Sequence, residues 1–187
     1  MELKTTYFEN PGSENTDEVL RIAKQRAEEL GIKTVVVAST SGDTAVKAMD
    51  VLQGLRVIIV THVAGSRAPD TQEFTEKNRQ IVESKGGIMV TAAHAFAGLS
   101  RAMRSKYNMY VLGEVIADTL RIFGVGTKVA CEVAMMAADA GVVRTDEDVI
   151  SIGGTGHGSD TALVLRPVNT HSFFDLKIRE ILCKPHL

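Results

Sequence analysis

Residues 35–61 read VVVASTSGDTAVKAMDVLQGLRVIIVT, and this stretch predicts the fold class of the chain. It begins within a β-branched run over residues 34–38, which is typical of a strand buried on both faces of a parallel sheet. A Ser/Thr-Gly turn follows, then a short helical pattern over residues 44–52 and a second apolar strand over residues 56–61. A strand, a helix and a strand at this spacing form a βαβ unit, whose crossover makes the two strands parallel.

The same alternation extends in both directions along the chain. The pattern predicts further helices over residues 16–30, 71–84, 95–140 (as several helical segments) and 173–182, and further strands over residues 87–91, 149–152 and 161–165. A glycine-rich link joins the last two strands and suits an antiparallel hairpin. We therefore expect an α/β, three-layer domain with a mostly parallel sheet, helices on both faces and an antiparallel edge hairpin. Residues 1–187 contain no repeat or linker and are expected to form one domain.

Composition narrows the classes of function. The chain is 44% apolar and 24% charged, and its 21 basic residues balance 23 acidic ones without a block of like charge. We therefore expect neither nucleic acid nor a membrane as a partner. Cys131 and Cys183 lie in predicted helices without CxxC spacing, and no secretory signal or apolar run of about 18 residues is present. A cytoplasmic protein is the expectation.

Ligands of open α/β sheets bind beyond the carboxyl ends of the strands, and this rule selects the candidate binding residues. Four segments follow predicted strands and converge at that edge. The candidates are Ser39, Thr40, Ser41, Gly42, Asp43, Thr44, Thr61, His62, Thr91, His94, Gly153, Gly154, Thr155, Gly156, His157 and Gly158.

Residues 39–44, which we call the Ser/Thr loop, carry four hydroxyl groups and one glycine directly before a helix. Free amides and the dipole of a helix N-terminus favour an anion, so this loop predicts a phosphate site. The alternative is that Ser41 or Asp43 only caps the helix. Because the Asp43 carboxylate would repel a phosphate, we expect Asp43 to point away from it or to meet hydroxyl groups of the ligand.

Residues 153–160, which we call the glycine-rich loop, contain four glycines and allow backbone amides to approach a ligand closely. The alternative is a flexible hairpin tip. The loop histidines His62, His94 and His157 are candidate proton donors, but no HExxH-type spacing is present and we expect no metal site. Lys128 and Glu132 are spaced for an ion pair on a solvated or ion-paired helix face.

The stretches VVVASTSGDTAVKAMDVLQGLRVIIVT (residues 35–61) and ISIGGTGHGSDTALVL (residues 150–165) resemble the C-terminal domain of pyruvate kinase. In eukaryotic-type pyruvate kinases these two loops hold the phosphates of an allosteric sugar bisphosphate. The catalytic barrel domain does not fit within 187 residues, so the resemblance does not imply kinase activity. Asp43 departs from the neutral or basic residue usual in the kinases.

The whole chain, including residues 7–12 and 123–141, is more similar to a family of stand-alone, mostly archaeal proteins with a pyruvate kinase C-terminal-like fold. Members of that family are associated with flavin mononucleotide (FMN). The resemblance therefore implies an FMN-binding protein, with the phosphate on Ser39, Thr40, Ser41, Gly42 and Thr44 and with residues 154–158 closing over it. The alternatives are a regulatory or sensor module for a sugar phosphate, and an isomerase or hydrolase that uses a loop histidine.

The apolar helical residues 111–140 also favour a homo-oligomer.

Overall fold

The structure is a computed structural model and describes residues 2–186. Within that range the chain forms seven strands and six α-helices, with 3₁₀ turns at Ser13–Asn15 and Thr170–Asp175. The strands are β1 (Thr6–Phe8), β2 (Thr34–Ala38), β3 (Arg56–Val60), β4 (Ile88–Val90), β5 (Val149–Gly153), β6 (Thr161–Arg166) and β7 (Lys177–Pro185). The helices are α1 (Thr16–Leu30), α2 (Asp43–Val51), α3 (Glu76–Ser84), α4 (Gly98–Tyr107), α5 (Leu112–Arg121) and α6 (Val125–Asp139).

All seven strands form one sheet in the order β1-β7-β6-β5-β2-β3-β4. Strands β5, β2, β3 and β4 are mutually parallel, as the βαβ pattern predicted. Strand β6 runs antiparallel to β5, which confirms the predicted hairpin. Strand β3 lies on one side of β2, and β5 lies on the other side. The order of the strands therefore changes direction at β2, and a crevice forms there beyond the carboxyl ends of the strands, where ligands of such sheets bind.

Alternating residues of the central strands face two separate cores. Val35 and Val37 of β2 pack in the core that contains α1, α2 and Val82 of α3. Val36 faces the opposite core, which is built on α6. The predicted three-layer arrangement, with helices on both faces of the sheet, is therefore confirmed.

The predicted helix over residues 173–182 is wrong, because this segment forms most of strand β7 and places Cys183 in a strand. Ile178 and Ile181 pair with Leu165 and Leu163 of β6, and two register irregularities interrupt the pairing. Each irregularity breaks the strict alternation of buried residues that identifies a strand. The resulting spacing of apolar residues imitates a helical period, whereas the open edge of β6 supplies the partners that make the segment a strand.

Candidate functional site

A cavity of about 660 Å³ lies at the carboxyl ends of β2, β3 and β5. It collects most of the residues that were predicted from strand ends. Of those candidates, its lining contains Ser39, Thr40, Ser41, Asp43, Thr44, Thr61, His62, His94, Gly154, Gly156, His157 and Gly158. The cavity thus brings the Ser/Thr loop, the glycine-rich loop and two loop histidines together.

Four predicted residues support the cavity without lining it. Gly42 is the N-cap of α2, at a φ of 101°. The Thr91 hydroxyl lies 2.7 Å from the Thr61 hydroxyl, and Gly153 packs its backbone against α6. The amide of Thr155 donates to the carboxylate of Asp160 at 3.0 Å. These four residues shape the loops.

The Ser/Thr loop is tied down by its first residue. The Ser39 amide donates to the Val60 carbonyl at 3.0 Å, which continues the pairing of β2 with β3. The Ser39 hydroxyl accepts from the Ala45 amide at 3.3 Å and satisfies one free donor at the start of α2. The capping role therefore falls mainly to Ser39. Ser41 contributes only a long contact, 3.5 Å, from the Asp43 amide to its hydroxyl.

Asp43 lies at the cavity, but hydrogen bonds within the protein occupy its carboxylate. Oδ2 accepts from the Ser41 hydroxyl at 2.8 Å, and Oδ1 accepts from Asn78 Nδ2 at 3.0 Å. The same Asn78 nitrogen also donates to the Ser41 carbonyl at 3.1 Å. Asn78 of α3 thus holds the carboxylate beside Ser41 at the start of α2.

The fully buried Asp160 anchors the glycine-rich loop. Oδ1 accepts from the Thr161 hydroxyl at 2.7 Å. Oδ2 accepts from the amides of Gly12 at 3.1 Å and Thr155 at 3.0 Å. One carboxylate thus joins the loop to the segment that precedes α1, and Ser13 and Thr16 from that region also line the cavity.

His62 and Glu73 form a hydrogen-bonded pair at the end of β3. His62 Nδ1 lies 2.8 Å from Glu73 Oε2, and Arg67 Nε donates to Glu73 Oε1 at 2.6 Å. The bond with His62 and the Arg67 guanidinium hold the pKa of the Glu73 carboxyl below its usual value, although partial burial opposes them. Glu73 is therefore ionised and fixes the orientation of the imidazole.

His94 lies beside His62, with the two ring centroids 5.1 Å apart in an edge-to-face arrangement. Its Nε2 accepts from the Val63 amide at 3.3 Å. Burial lowers the pKa of His94, and the proximity of His62, Lys128 and Arg101 adds to the effect against the opposing carboxylate of Glu132. His94 is therefore neutral, and its remaining proton is on Nδ1.

Helix α6 supplies the lining residues that strand-end reasoning missed. The predicted Lys128–Glu132 ion pair forms, but both side chains are less than a tenth exposed and line the cavity, so this is not a solvated face. Glu132 Oε1 also accepts from the Phe96 amide at 3.0 Å. The sequence contained a signal for this buried pair, because two charged residues interrupt an otherwise apolar helical segment.

The rest of the α6 lining is apolar and consists of Val125, Val129, Val133 and Met136. Their spacing puts them on one helix face toward the cavity.

Across residues 2–186, no group of three or more His, Cys, Asp or Glu side chains is arranged to hold a metal ion. None of the helices described in that range is long and apolar enough to span a membrane.

Comparison with known proteins identifies the family. A family model described as the alpha/beta domain of pyruvate kinase matches residues 17–165. A pyruvate kinase structure from Cryptosporidium parvum is similar over 82% of this chain and 23% of its own, with 11% identity and a TM-score of 0.42. The Cryptosporidium parvum pyruvate kinase in complex with ADP is similar over 89% of this chain and 23% of its own, with 12% identity and a TM-score of 0.40.

The chain thus spans less than a quarter of the length of these pyruvate kinase chains. The family model covers most of the chain, from α1 to the last strand of the hairpin. The chain therefore belongs to the family of the pyruvate kinase alpha/beta domain.

Proposed function

We propose that this protein binds a phosphate-bearing small molecule in the cavity, with FMN as the ligand. The observation that carries the proposal is the convergence of the Ser/Thr loop, the glycine-rich loop and the N-terminal region of α1 on one cavity. Hydroxyl groups, backbone amides and helix N-termini are the donors that phosphate groups prefer. Lys47, whose ammonium group forms an exposed ion pair with Asp17 at 2.7 Å, also lines the cavity.

The donors fit a phosphate at the start of α2. The first amides of an α-helix have no acceptor within the helix. Ser39 satisfies that of Ala45, whereas none of the described residues accepts from the amide of Thr44. Thr40 and Thr44, which carry hydroxyl groups, both line the cavity. Asp43 counts against an anion, but its carboxylate is already shared between Ser41 and Asn78.

The apolar face of α6 fits the rest of FMN. Val125, Val129, Val133 and Met136 line the cavity with apolar side chains, beside Lys128 and Glu132 on the same helix. A large planar ring system gains free energy when it leaves water for such a surface. Bound FMN would supply electron-transfer chemistry, and these four side chains would exclude water from one face of its ring.

The direct test is a titration of the purified protein with FMN and with riboflavin, followed by flavin fluorescence. We expect FMN to bind at least tenfold more tightly, because riboflavin lacks the phosphate. Equal affinities would contradict the phosphate role of the loops. Lys47→Gln should weaken FMN more than riboflavin. The matched control is Lys85→Gln, because Lys85 also forms an exposed ion pair with an aspartate but lies away from the cavity.

A sugar phosphate, in a regulatory or sensor role, is the second candidate ligand. The observation that favours it is the group of polar side chains from His62, His94, Lys128 and Glu132 on the cavity lining. Such groups suit hydroxyl and carbonyl oxygens better than an apolar ring. A rise in melting temperature with sugar phosphates, without flavin binding, would support this candidate.

We also propose that the protein is a homo-oligomer. In helix α4 no residue is buried, and Leu99 is 86% exposed. Leu112 and Val115 of α5 are 69% and 53% exposed, so neighbouring helices share an uncovered apolar surface. Native mass spectrometry would give the subunit count and the mass of any retained ligand together. A monomer at micromolar concentration would contradict the proposal.

A further inference from the structure

We propose that the cavity is also an enzyme active site, in which His62 acts as the general base that moves a proton on a phosphorylated hydroxy-carbonyl compound. The inference rests on the phosphate site proposed above, with a sugar phosphate as the substrate. It adds a proton-transfer reaction to the binding role of that site. Three features carry it: an oriented base, a neutral hydrogen-bond donor and a buried ammonium group on the same cavity.

The base is His62. Because Glu73 is ionised, its Oε2 accepts the proton on His62 Nδ1, and the ring is held in the tautomer with a free lone pair on Nε2. The His62 side chain is 41% exposed and lines the cavity, so a ligand can reach it. A carboxylate that orients an imidazole and stabilises its protonated form is the arrangement that general bases use in proteins.

The pair is held by a fixed framework. Glu73 is only 15% exposed, and Arg67 binds its second oxygen. The next residue, Phe74, is buried, and its amide donates to Gln72 Oε1 at 3.1 Å. Gln72 Nε2 in turn donates to the His62 carbonyl at 3.0 Å. The loop therefore fixes the positions of Glu73 and His62 relative to each other, which an acid–base pair requires.

The donors lie on the elements next to His62. Neutral His94 carries its proton on Nδ1, because its Nε2 accepts from the Val63 amide. Lys128 is 7% exposed and has three N–H donors, and Glu132 is the only acceptor for them among residues 2–186. A buried ammonium with donors to spare favours an oxygen ligand that gains negative charge. Arg101 of α4 is the other charged group that lines this cavity near His94.

The reaction that these groups fit is an aldose–ketose type isomerisation. His62 Nε2 takes the proton from the carbon beside the carbonyl. The C–H electron pair forms a carbon–carbon double bond, and the carbonyl π pair moves onto oxygen, where His94 or Lys128 donates to it. The imidazolium then returns its proton to the former carbonyl carbon. The hydroxyl on the carbon that lost the proton becomes the new carbonyl, and the proton of that hydroxyl passes to the former carbonyl oxygen. Atoms and electrons balance without an oxidant or a cofactor.

The test is exchange of substrate protons with solvent deuterium, monitored by proton NMR. The protein is incubated in D₂O with dihydroxyacetone phosphate, ribose 5-phosphate or fructose 6-phosphate, and binding of each compound is measured in parallel by calorimetry. We expect deuterium at the carbon beside the carbonyl of at least one compound. His62→Gln should slow the exchange at a saturating concentration of the compound by about 10²–10⁴-fold, the usual contribution of a general base, a far larger effect than its loss of affinity in the calorimetry.

Glu73 is a positioning residue, so Glu73→Gln should slow exchange less than His62→Gln does and should change the pH profile of the exchange rate. His171→Gln is the control, because His171 is exposed and away from the cavity, and it should exchange like the wild type. If the compounds bind but none exchanges, or if His62→Gln exchanges normally, the proton-transfer inference is overturned and the phosphate site stands. If no phosphorylated compound or FMN binds, both proposals fail.

Discussion

The amide of Ser159 donates a hydrogen bond of 3.0 Å to the hydroxyl of Thr16, which lies 143 residues earlier in the chain. Thr16 begins α1, and Ser159 lies in the glycine-rich loop just before β6, so the bond joins the first helix to the hairpin of β5 and β6. Both residues are buried. The cavity lining on this side therefore depends on contacts between the two ends of the chain.

Gly158 is the residue that permits this contact, and we predict that Gly158→Ala lowers both stability and ligand affinity. Its φ is +72°, and an added Cβ would overlap the Cα of Ser13 and come within 2.6 Å of the Thr16 hydroxyl. The strained backbone costs about 1–2 kcal/mol, and forcing the contact apart costs about 1–3 kcal/mol more. Urea unfolding should show a loss of about 2–5 kcal/mol.

Gly156→Ala is the matched control for Gly158→Ala. Gly156 has the same φ of +72°, but an added Cβ would meet no atom within 4 Å. It should cost only the backbone strain, about 1–2 kcal/mol. Equal losses in the two variants would show that the approach of Gly158 to α1 does not limit stability.

The Lys128–Glu132 pair should be strongly coupled. Lys128→Met leaves the Glu132 carboxylate buried without its cation and should reduce the free energy of unfolding by about 3–5 kcal/mol. The double variant with Glu132→Gln should lose less than the sum of the single losses, by about 0.5–3 kcal/mol. Urea unfolding of the four proteins measures this coupling.

Lys24→Met is the control for the Lys128→Met variant. Lys24 and Glu28 have the same i,i+4 spacing on α1, with their charged groups 3.3 Å apart, but Lys24 is 25% and Glu28 62% exposed, and Lys24 Nζ also donates to the Gln53 carbonyl. An exposed pair of this kind contributes about 0.5 kcal/mol. A loss at Lys128 as small as that at Lys24 would show that the buried pair is not energetically coupled.

Ser41→Glu should weaken phosphate binding strongly without unfolding the protein. The new carboxylate would lie at the start of α2 beside Asp43, would occupy the donors and would repel a phosphate. Each lost charge-assisted hydrogen bond is worth about 1.5–3 kcal/mol, so FMN affinity should fall at least tenfold. Stability should change by less than about 1 kcal/mol, because negative charge is tolerated at a helix N-terminus.

Ser41→Ala separates the charge effect from the loss of the hydroxyl. It removes the bond to Asp43 but adds no charge, so its effect on affinity should be smaller than that of Ser41→Glu. Calorimetry with FMN and thermal melts measure the two quantities. Normal FMN affinity in Ser41→Glu would mean that the phosphate does not lie on the Ser/Thr loop.

The sequence predicted the parallel core of the fold because its signals are local. The β-branched run before Ser39 and the apolar run before Thr61 each form a buried strand, and the helical spacing between them fixes the crossover. Strand β7 was missed because its identity depends on pairing with β6 across two irregularities. Strand β1 was missed because three residues carry too little periodicity.

The same distinction applies to the site. The strand-end rule found the loops at Ser39 and Gly154, since topology alone brings parallel carboxyl ends together. It could not find Glu73, which reaches His62 from a loop before α3, or Lys128, which approaches across the sheet from α6. Those contacts depend on packing between distant elements. The i,i+4 spacing of Lys128 and Glu132 predicted their pairing but not their burial.

The final prediction is that His94 makes the protein less stable as the pH falls below about 6.5. Burial lowers the pKa of His94 in the folded protein below its ordinary value of 6.5. Between the folded and unfolded pKa values, the unfolded chain therefore binds a proton that the folded protein does not. By linkage, this contribution to stability is complete above pH 6.5 and is lost as the pH falls through that window.

The measurement is the free energy of unfolding in urea at intervals from pH 7.5 to pH 5.5. His94→Gln keeps an acceptor for the Val63 amide but cannot be protonated, so its stability should fall less over this range than that of the wild type. Glu73 does not interfere, because its lowered pKa places its own loss of stability below its ordinary value of 4.5. His171→Gln removes an exposed histidine and should keep the slope of the wild type. Identical slopes in the wild type and His94→Gln would show that His94 is as easily protonated in the folded protein as in the unfolded chain, and would remove the neutral donor that the proposed reaction places beside His62.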